Sequence, residues 1–198
     1  LRRFERPAID LDGPWRFVPD AEQAFEVDRL PPGQAIAVPG CWEAQVGRPY
    51  QIITAWCSRT FDVPAEWTGS QALVRFGAVM YHCLVWLNGQ LVGQHEGGYT
   101  EFTLPLGGAI HPGRNELTVR VTNPLNGISD YPALAVERAL LGEEWAPDLP
   151  LTQAPHGKQT WYSSQSGIWR SVSVERTADV WVDSLRVLPD VPGGQARA

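Results

Sequence analysis

The segment YHCLVWLNGQLVGQHE, residues 81–96, constrains the fold more than any other part of the chain. Two apolar runs flank Asn88-Gly89, and Asn and Gly both tolerate the positive φ that a type I′ turn demands. The segment therefore predicts a β-hairpin with a two-residue loop. Strand-like runs continue at Trp56 to Val63 (WCSRTFDV), Ala72 to Val79 (ALVRFGAV) and Glu116 to Asn123 (ELTVRVTN), and further strands are expected at Ile168 to Arg176 and Val180 to Leu188. In ELTVRVTN, Leu117, Val119 and Val121 alternate with polar residues, which predicts one buried face. The 198 residues include 19 Gly and 17 Pro, a density that suits turns and opposes long helices. Helix is expected only as a turn or two over Glu22 to Val27 and as a short segment over Pro132 to Leu141. Short strands, Gly/Pro turns and no alternating helices predict an all-β chain, a β-sandwich of jelly-roll type. A closed barrel fits less well, because strand and loop lengths are so uneven.

The connection from Pro124 to Gln165 departs from this economy. It runs about forty residues, against a usual median of ~4–6. It carries Trp145, His156, Trp161, Tyr162 and the sole lysine, Lys158, which is too aromatic for a disordered linker. An ordered loop laid over one end of the sandwich is expected. The domain division follows: residues 1–178 form the jelly roll, with the long loop at 124–165, and residues 179–198 form an exit strand and the start of a second domain. The chain begins at Leu1 and its only methionine is Met80, so it is expected to be trimmed or processed, which leaves export open.

Charge and composition exclude several classes. There are 16 basic and 22 acidic side chains, a net charge of −6, and no cluster of Lys and Arg; nucleic acid and anionic membranes are not expected as partners. No run approaches the roughly 18–20 apolar residues of a membrane span. Cys41, Cys57 and Cys83 show no CxxC spacing, so free thiols and a cytoplasmic location are expected. His82, His95, His111 and His156 lack metal-ligand spacing, and no phosphate-binding glycine loop or nucleophile elbow is present. No metal and no cofactor are expected. His82 and Cys83 are strand neighbours that point to opposite faces and cannot act together.

Glycoside hydrolysis normally needs two facing carboxylates. Glu143, Glu144 and Asp148 in the long connection have no partner fixed across a cleft and read as solvated. No catalytic residue is assigned. What remains is binding chemistry: sugars present apolar CH faces and rings of hydroxyls, which aromatic faces and fixed polar groups match. The stretch HGKQTWY supplies His156, Lys158, Gln159, Trp161 and Tyr162 within seven residues. The alternative is that Trp161 and Tyr162 anchor the loop while Lys158 is solvated. Trp86 and Trp169 are read as strand residues that pack in the core or between sheets.

Several segments together resemble one family. WLNGQLVGQHEGGYTEFTLPL (Trp86 to Leu106) is similar to the N-terminal sugar-binding domain of glycoside hydrolase family 2, the β-galactosidase, β-glucuronidase and β-mannosidase group. The family pattern W-x-N-G-x-x-V-G-x-H-x-G-G-Y-T-x-F is matched by Trp86, Asn88, Gly89, Val92, Gly93, His95, Gly97, Gly98, Tyr99, Thr100 and Phe102. LDGPWRF (Leu11 to Phe17), VPGCWE (Val38 to Glu43), WCSRTFDVPAEW (Trp56 to Trp67), PGRNELTVRVTN (Pro112 to Asn123) and SGIWRSVSVE (Ser166 to Glu175) fall in the expected order. The likeness covers about residues 9–190. Gly97-Gly98 would permit backbone angles or close approaches denied to other residues, with Tyr99 and Phe102 adding bulk to the core.

The resemblance implies a galactose-binding-domain-like jelly roll, then an immunoglobulin-like domain whose first strand starts near Trp181, then a barrel that carries both catalytic glutamates. This chain would hold neither glutamate. It would pack on the barrel of a retaining β-glycosidase, wall one side of a carbohydrate pocket and leave homo-oligomerisation open. In β-galactosidases and β-glucuronidases an aspartate six residues before the glycine of the S-G-I strand reaches the terminal sugar; here that position is Trp161. Trp offers a stacking face and one N–H donor, and accepts nothing from a hydroxyl. Trp161 is then the expected contact, with His156, Lys158, Gln159 and Tyr162 beside it. Two other classes stay open: a free-standing carbohydrate-binding module, and a structural domain with no ligand.

Overall fold

Strand alternation carries through to two sheets. The structure, a computed structural model, describes residues 6–20, 22–46, 54–67, 71–123, 165–178, 180, 188–190, 193 and 195–197. Its strands are β1 (Ala8–Asp10), β2 (Gly13–Pro19), β3 (Gln34–Val38), β4 (Thr54–Val63), β5 (Gln71–Phe76), β6 (Val79–Met80), β7 (His82–Leu87), β8 (Gln90–Glu96), β9 (Phe102–Pro105), β10 (Gly113–Thr122), β11 (Gly167–Ile168), β12 (Val172–Thr177), β13 (Leu188–Asp190) and β14 (Gln195–Arg197). They form a six-stranded sheet ordered β3-β2-β4-β10-β7-β8, a four-stranded sheet ordered β1-β12-β5-β9, and the pairs β6/β11 and β13/β14. The pairings are antiparallel.

Register aligns the inner rows. Phe17 lies opposite Cys57, Cys57 opposite Val119, and Val119 opposite Val85 across the larger sheet. In the smaller sheet Ile9, Val174, Val74 and Leu104 sit in one row. One apolar cluster joins both rows, which makes the molecule the expected jelly-roll sandwich. Because side chains alternate with period two, each strand commits its whole apolar set to this layer.

The hairpin forms as its sequence predicts. Leu87 pairs with Gln90, and Asn88 and Gly89 take φ of 53° and 79°, the type I′ geometry. Asn88 also ties the turn down: its Nδ2 donates to Ala109 O and Asn115 Oδ1, each at 2.8 Å, and its Oδ1 accepts from Glu116 N at 2.8 Å.

Several expectations change. Ala72 to Val79 and Ile168 to Arg176 are each two strands, because the paired chains leave the small sheet together. Gly77 N donates to Ser171 O at 2.9 Å where the break occurs, and β6 then pairs with β11. The segment Glu22 to Val27 is not helical. The buried Asp20 carboxylate accepts from Ala24 N at 2.8 Å and Phe25 N at 3.3 Å, so a side chain takes the donors that a helix would use. The α-helix among the described residues is α1, Glu43–Val46.

Trp86 and Trp169 are not core residues. Trp86 lies half-buried on the outer face of the larger sheet, 5.2 Å from the Trp56 ring. Trp169 follows β11, just before a bend at Arg170, and packs with Met80 and Tyr81, apart from the main cluster. Tyr99 is 60% exposed and adds nothing to the core. Phe102 does, stacking on Phe76 at 5.0 Å. Pro132 to Leu141 lies outside the described residues, as do residues 181–187 of the strand expected from Val180 to Leu188; Leu188 opens β13 instead.

Candidate functional site

The long connection leaves after β10 and returns at β11, and its two roots are bonded side by side. Asn123, 2% exposed, donates through Nδ2 to Ser166 Oγ at 2.7 Å and to Gln165 O at 3.4 Å. Ser166 N donates to Glu43 Oε2 at 2.8 Å. The backbone of the preceding loop closes the arrangement: Trp42 N donates to Ser166 O at 3.1 Å, and Gly40 N to Ile168 O at 2.9 Å. Trp42 is fully buried, with its ring tilted against Phe17 at 5.6 Å. Core packing thus fixes Trp42, the next residue, Glu43, opens α1, and Glu43 holds the returning chain.

Three buried polar atoms here have no hydrogen-bond partner among the described residues: Trp42 Nε1, Glu43 Oε1 and Asn123 Oδ1. A buried polar group left unmatched costs about 1–3 kcal/mol, so one donor and two acceptors at this root form the most demanding polar environment among the described residues. Burial pushes the Glu43 carboxyl above its ordinary value of 4.5, and hydrogen bonds from Ser166 partly offset the rise. The same burial, with the Glu43 charge beside it, raises the Cys41 thiol.

The sign of the Glu43 shift gives a pH test. A carboxyl that binds its proton more tightly folded than unfolded loses stability as pH rises from its unfolded value through its folded one. Stability should therefore fall as pH rises above about 4.5 and level off once Glu43 is ionised in both states. Glu43→Gln, which keeps an acceptor for Ser166 N, should flatten that slope. Urea midpoints of both proteins at a series of pH values between 4 and 7 check it; parallel curves would remove Glu43 as the cause.

A second feature stands nearby in sequence terms. Trp169 Nε1 donates to Gly98 O at 2.8 Å, its ring meets Tyr99 edge-on at 6.1 Å, and the Arg170 guanidinium lies 5.2 Å over it. His95 stacks on Phe102 at 3.9 Å, and burial lowers its pKa from the ordinary histidine value. Burial pushes the Cys57 and Cys83 thiols up to about 12; all three cysteines are free.

His156, Lys158, Gln159, Trp161 and Tyr162 lie outside the described residues, as do Glu143, Glu144 and Asp148. Sequence reasoning passed over Glu43, Asn123 and Ser166. A signal existed for two of them: Asn123 ends an alternating strand with a polar residue, and Ser166 precedes Gly167-Ile168 at the other end of the connection. Among the described residues no three His, Cys, Asp or Glu side chains gather to hold a metal. No helix there is long and apolar enough to cross a membrane.

A family model described as "Glycosyl hydrolases family 2, sugar binding domain" matches residues 9–178. The β-glucuronidase of Paenibacillus borealis is 26% identical over 203 residues, covering 95% of this chain and 32% of that protein. The β-galactosidase of Thermoanaerobacterium thermosulfurigenes is 26% identical over 190 residues, covering 92% and 23%. Among solved structures, Faecalibacterium prausnitzii β-glucuronidase superposes with a TM-score of 0.67 at 25% identity, covering 96% of this chain and 34% of that one. Ruminococcus gnavus β-glucuronidase gives 0.66 at 23%, covering 89% and 30%, a likeness of fold. The chain spans about a third or less of the length of these relatives. With a jelly roll built on the matched residues and the S-G-I strand closing its long connection, the chain belongs to the family 2 glycosyl hydrolases, as their sugar-binding domain.

Proposed function

We propose that this chain is the noncatalytic wall of a sugar pocket in a retaining β-glycosidase that cleaves O-glycosidic bonds, with the catalytic carboxylates on a barrel elsewhere in the same polypeptide. The observation that carries the reading is the family match across residues 9–178, joined to relatives of which such a stretch is only a part. In this reading the domain packs on the barrel, and the connection rooted at Asn123 and Ser166 carries sugar contacts. Trp161 stacks on the sugar, and His156, Lys158, Gln159 and Tyr162 supply polar contacts beside it. The setting is cytoplasmic, a placement supported by three unpaired thiols.

The test uses the full polypeptide from the source gene against aryl β-glucuronides, β-galactosides and β-mannosides. Hydrolysis of one of them is expected, and none by the 198-residue chain alone. Trp161→Ala in the full polypeptide should raise KM or lower kcat, because a stacking contact made in the ground or transition state is lost. If both constants stay within about twofold of wild type, Trp161 only anchors the connection. A gene that stops shortly after codon 198 would overturn the glycosidase reading, and sugar titration of the chain would then decide for a free-standing binding module.

A further inference from the structure

We infer that the Tyr99–Trp169–Arg170 surface is the docking face for the remainder of the polypeptide, the part that in the relatives lies outside the matched region. This rests on the reading of the chain as one domain of a longer enzyme. The surface is built, and built rigidly. Met80, Tyr81 and Trp169 form an apolar cluster separate from the sandwich core. Trp169 Nε1 is bonded to Gly98 O at 2.8 Å, Gly97 N donates to Tyr81 O at 3.2 Å, and Tyr81 Oη donates to Glu96 Oε1 at 2.9 Å. A Cβ at Gly98 would overlap Met80 Sδ, so any larger residue there in the 97–100 turn would have to push the Met80 side chain aside.

All this packing presents Tyr99 outward, 60% exposed, with Trp169 at its edge and the Arg170 guanidinium beyond. Folding alone gains little from an exposed tyrosine set against the edge of Trp169. Tyr, Trp and Arg are the side chains in which binding energy concentrates at protein interfaces, since they combine large area with a polar tip. A surface ordered before contact also loses less entropy when it is covered. The two-thirds or more of each matched relative that this chain does not span is the occupant such a surface fits. A sugar is the weaker candidate, because Arg170 already covers a face of the Trp169 ring.

Hydroxyl-radical footprinting reads the prediction directly. Tyr99 and Trp169 should be oxidised at least about tenfold more slowly in the full polypeptide than in the 198-residue chain, as for groups sealed from water at an interface centre. Tyr99→Ser and Arg170→Gln should leave the thermal unfolding of the 198-residue chain unchanged and lower that of the full polypeptide. Equal oxidation in the two proteins overturns the proposal. So does protection of Tyr99 in the 198-residue chain by methyl glucuronide or methyl galactoside, which would make the surface a sugar platform. The readout is independent of hydrolysis. Protection in a polypeptide that hydrolyses nothing keeps the docking face and removes the glycosidase; an active enzyme with Tyr99 still exposed does the reverse.

Discussion

Replacing Trp42 by alanine should lower the stability of the folded chain by about 3–5 kcal/mol, the largest loss expected from a single side chain here. Trp42 is 0% exposed. Its ring meets Phe17 on β2, while its backbone N–H holds Ser166 O at 3.1 Å. Removing the ring opens a cavity at the junction of the core and the roots of the long connection. Whole domains are stable by only about 5–15 kcal/mol, so such a loss takes a large share. Trp42→Phe separates packing from polarity. It keeps an aromatic ring and deletes Nε1, a buried donor with no partner among the described residues, and should cost about 1 kcal/mol or less. Urea unfolding with unchanged m-value measures both. An alanine variant within 1 kcal/mol of wild type, as a rough threshold, would show that the surroundings close over the gap.

Asp20→Ala should cost about 3 kcal/mol, because it leaves the buried Trp56 Nε1–H unmatched together with two partly buried backbone donors. The Asp20 carboxylate is 3% exposed and accepts from Trp56 Nε1 at 2.8 Å, Ala24 N at 2.8 Å and Phe25 N at 3.3 Å. Its charge also faces Arg120, whose guanidinium sits 5.9 Å over the Trp56 ring and is bonded to Gln23 Oε1 at 2.6 Å. Alanine strands three donors and leaves Arg120 without that charge. Asp20→Asn keeps one accepting oxygen and should lose roughly half as much. Thermal unfolding of the two variants against wild type measures the difference, and equal losses would mean that the charge, not the acceptor count, organises this face.

These two residues mark where the sequence was and was not legible. Alternation in ELTVRVTN announced β10 and its inner face of Leu117, Val119 and Val121. The outer face was less legible, because Thr118 and Thr122 are buried as well. A polar residue in a strand reads as exposed, and nothing local reveals that another part of the chain covers it. Asp20 follows a Pro-ended strand and looks like an ordinary turn residue; its role as acceptor for Trp56 depends on β2 and β4 lying side by side. Trp169 sits in an apolar strand-like run, yet the chain bends there to change sheets, and a break shared by two paired segments is invisible in either one.

Tyr99 shows the same limit from the other side. The motif G-G-Y-T marked a turn and suggested bulk for the core. Gly98 does make the close approach expected of it, but the ring that follows points to solvent, because Met80 and Trp169 already fill the space beneath.

The chain's own sequence determined the all-β character, the type I′ hairpin and the inner face of β10, since φ tolerance and period-two alternation are local properties; β1, β2, β3 and β9 became visible only in the structure. Ordered motifs from Leu11 to Glu175 determined the family. Tertiary structure alone decided that Glu43, Asn123 and Ser166 meet at the roots of the long connection, and that Tyr99, Trp169 and Arg170 form one surface. Glu43 and Ser166 are 123 residues apart in the chain, and only long-range strand pairing brings such groups within hydrogen-bond reach.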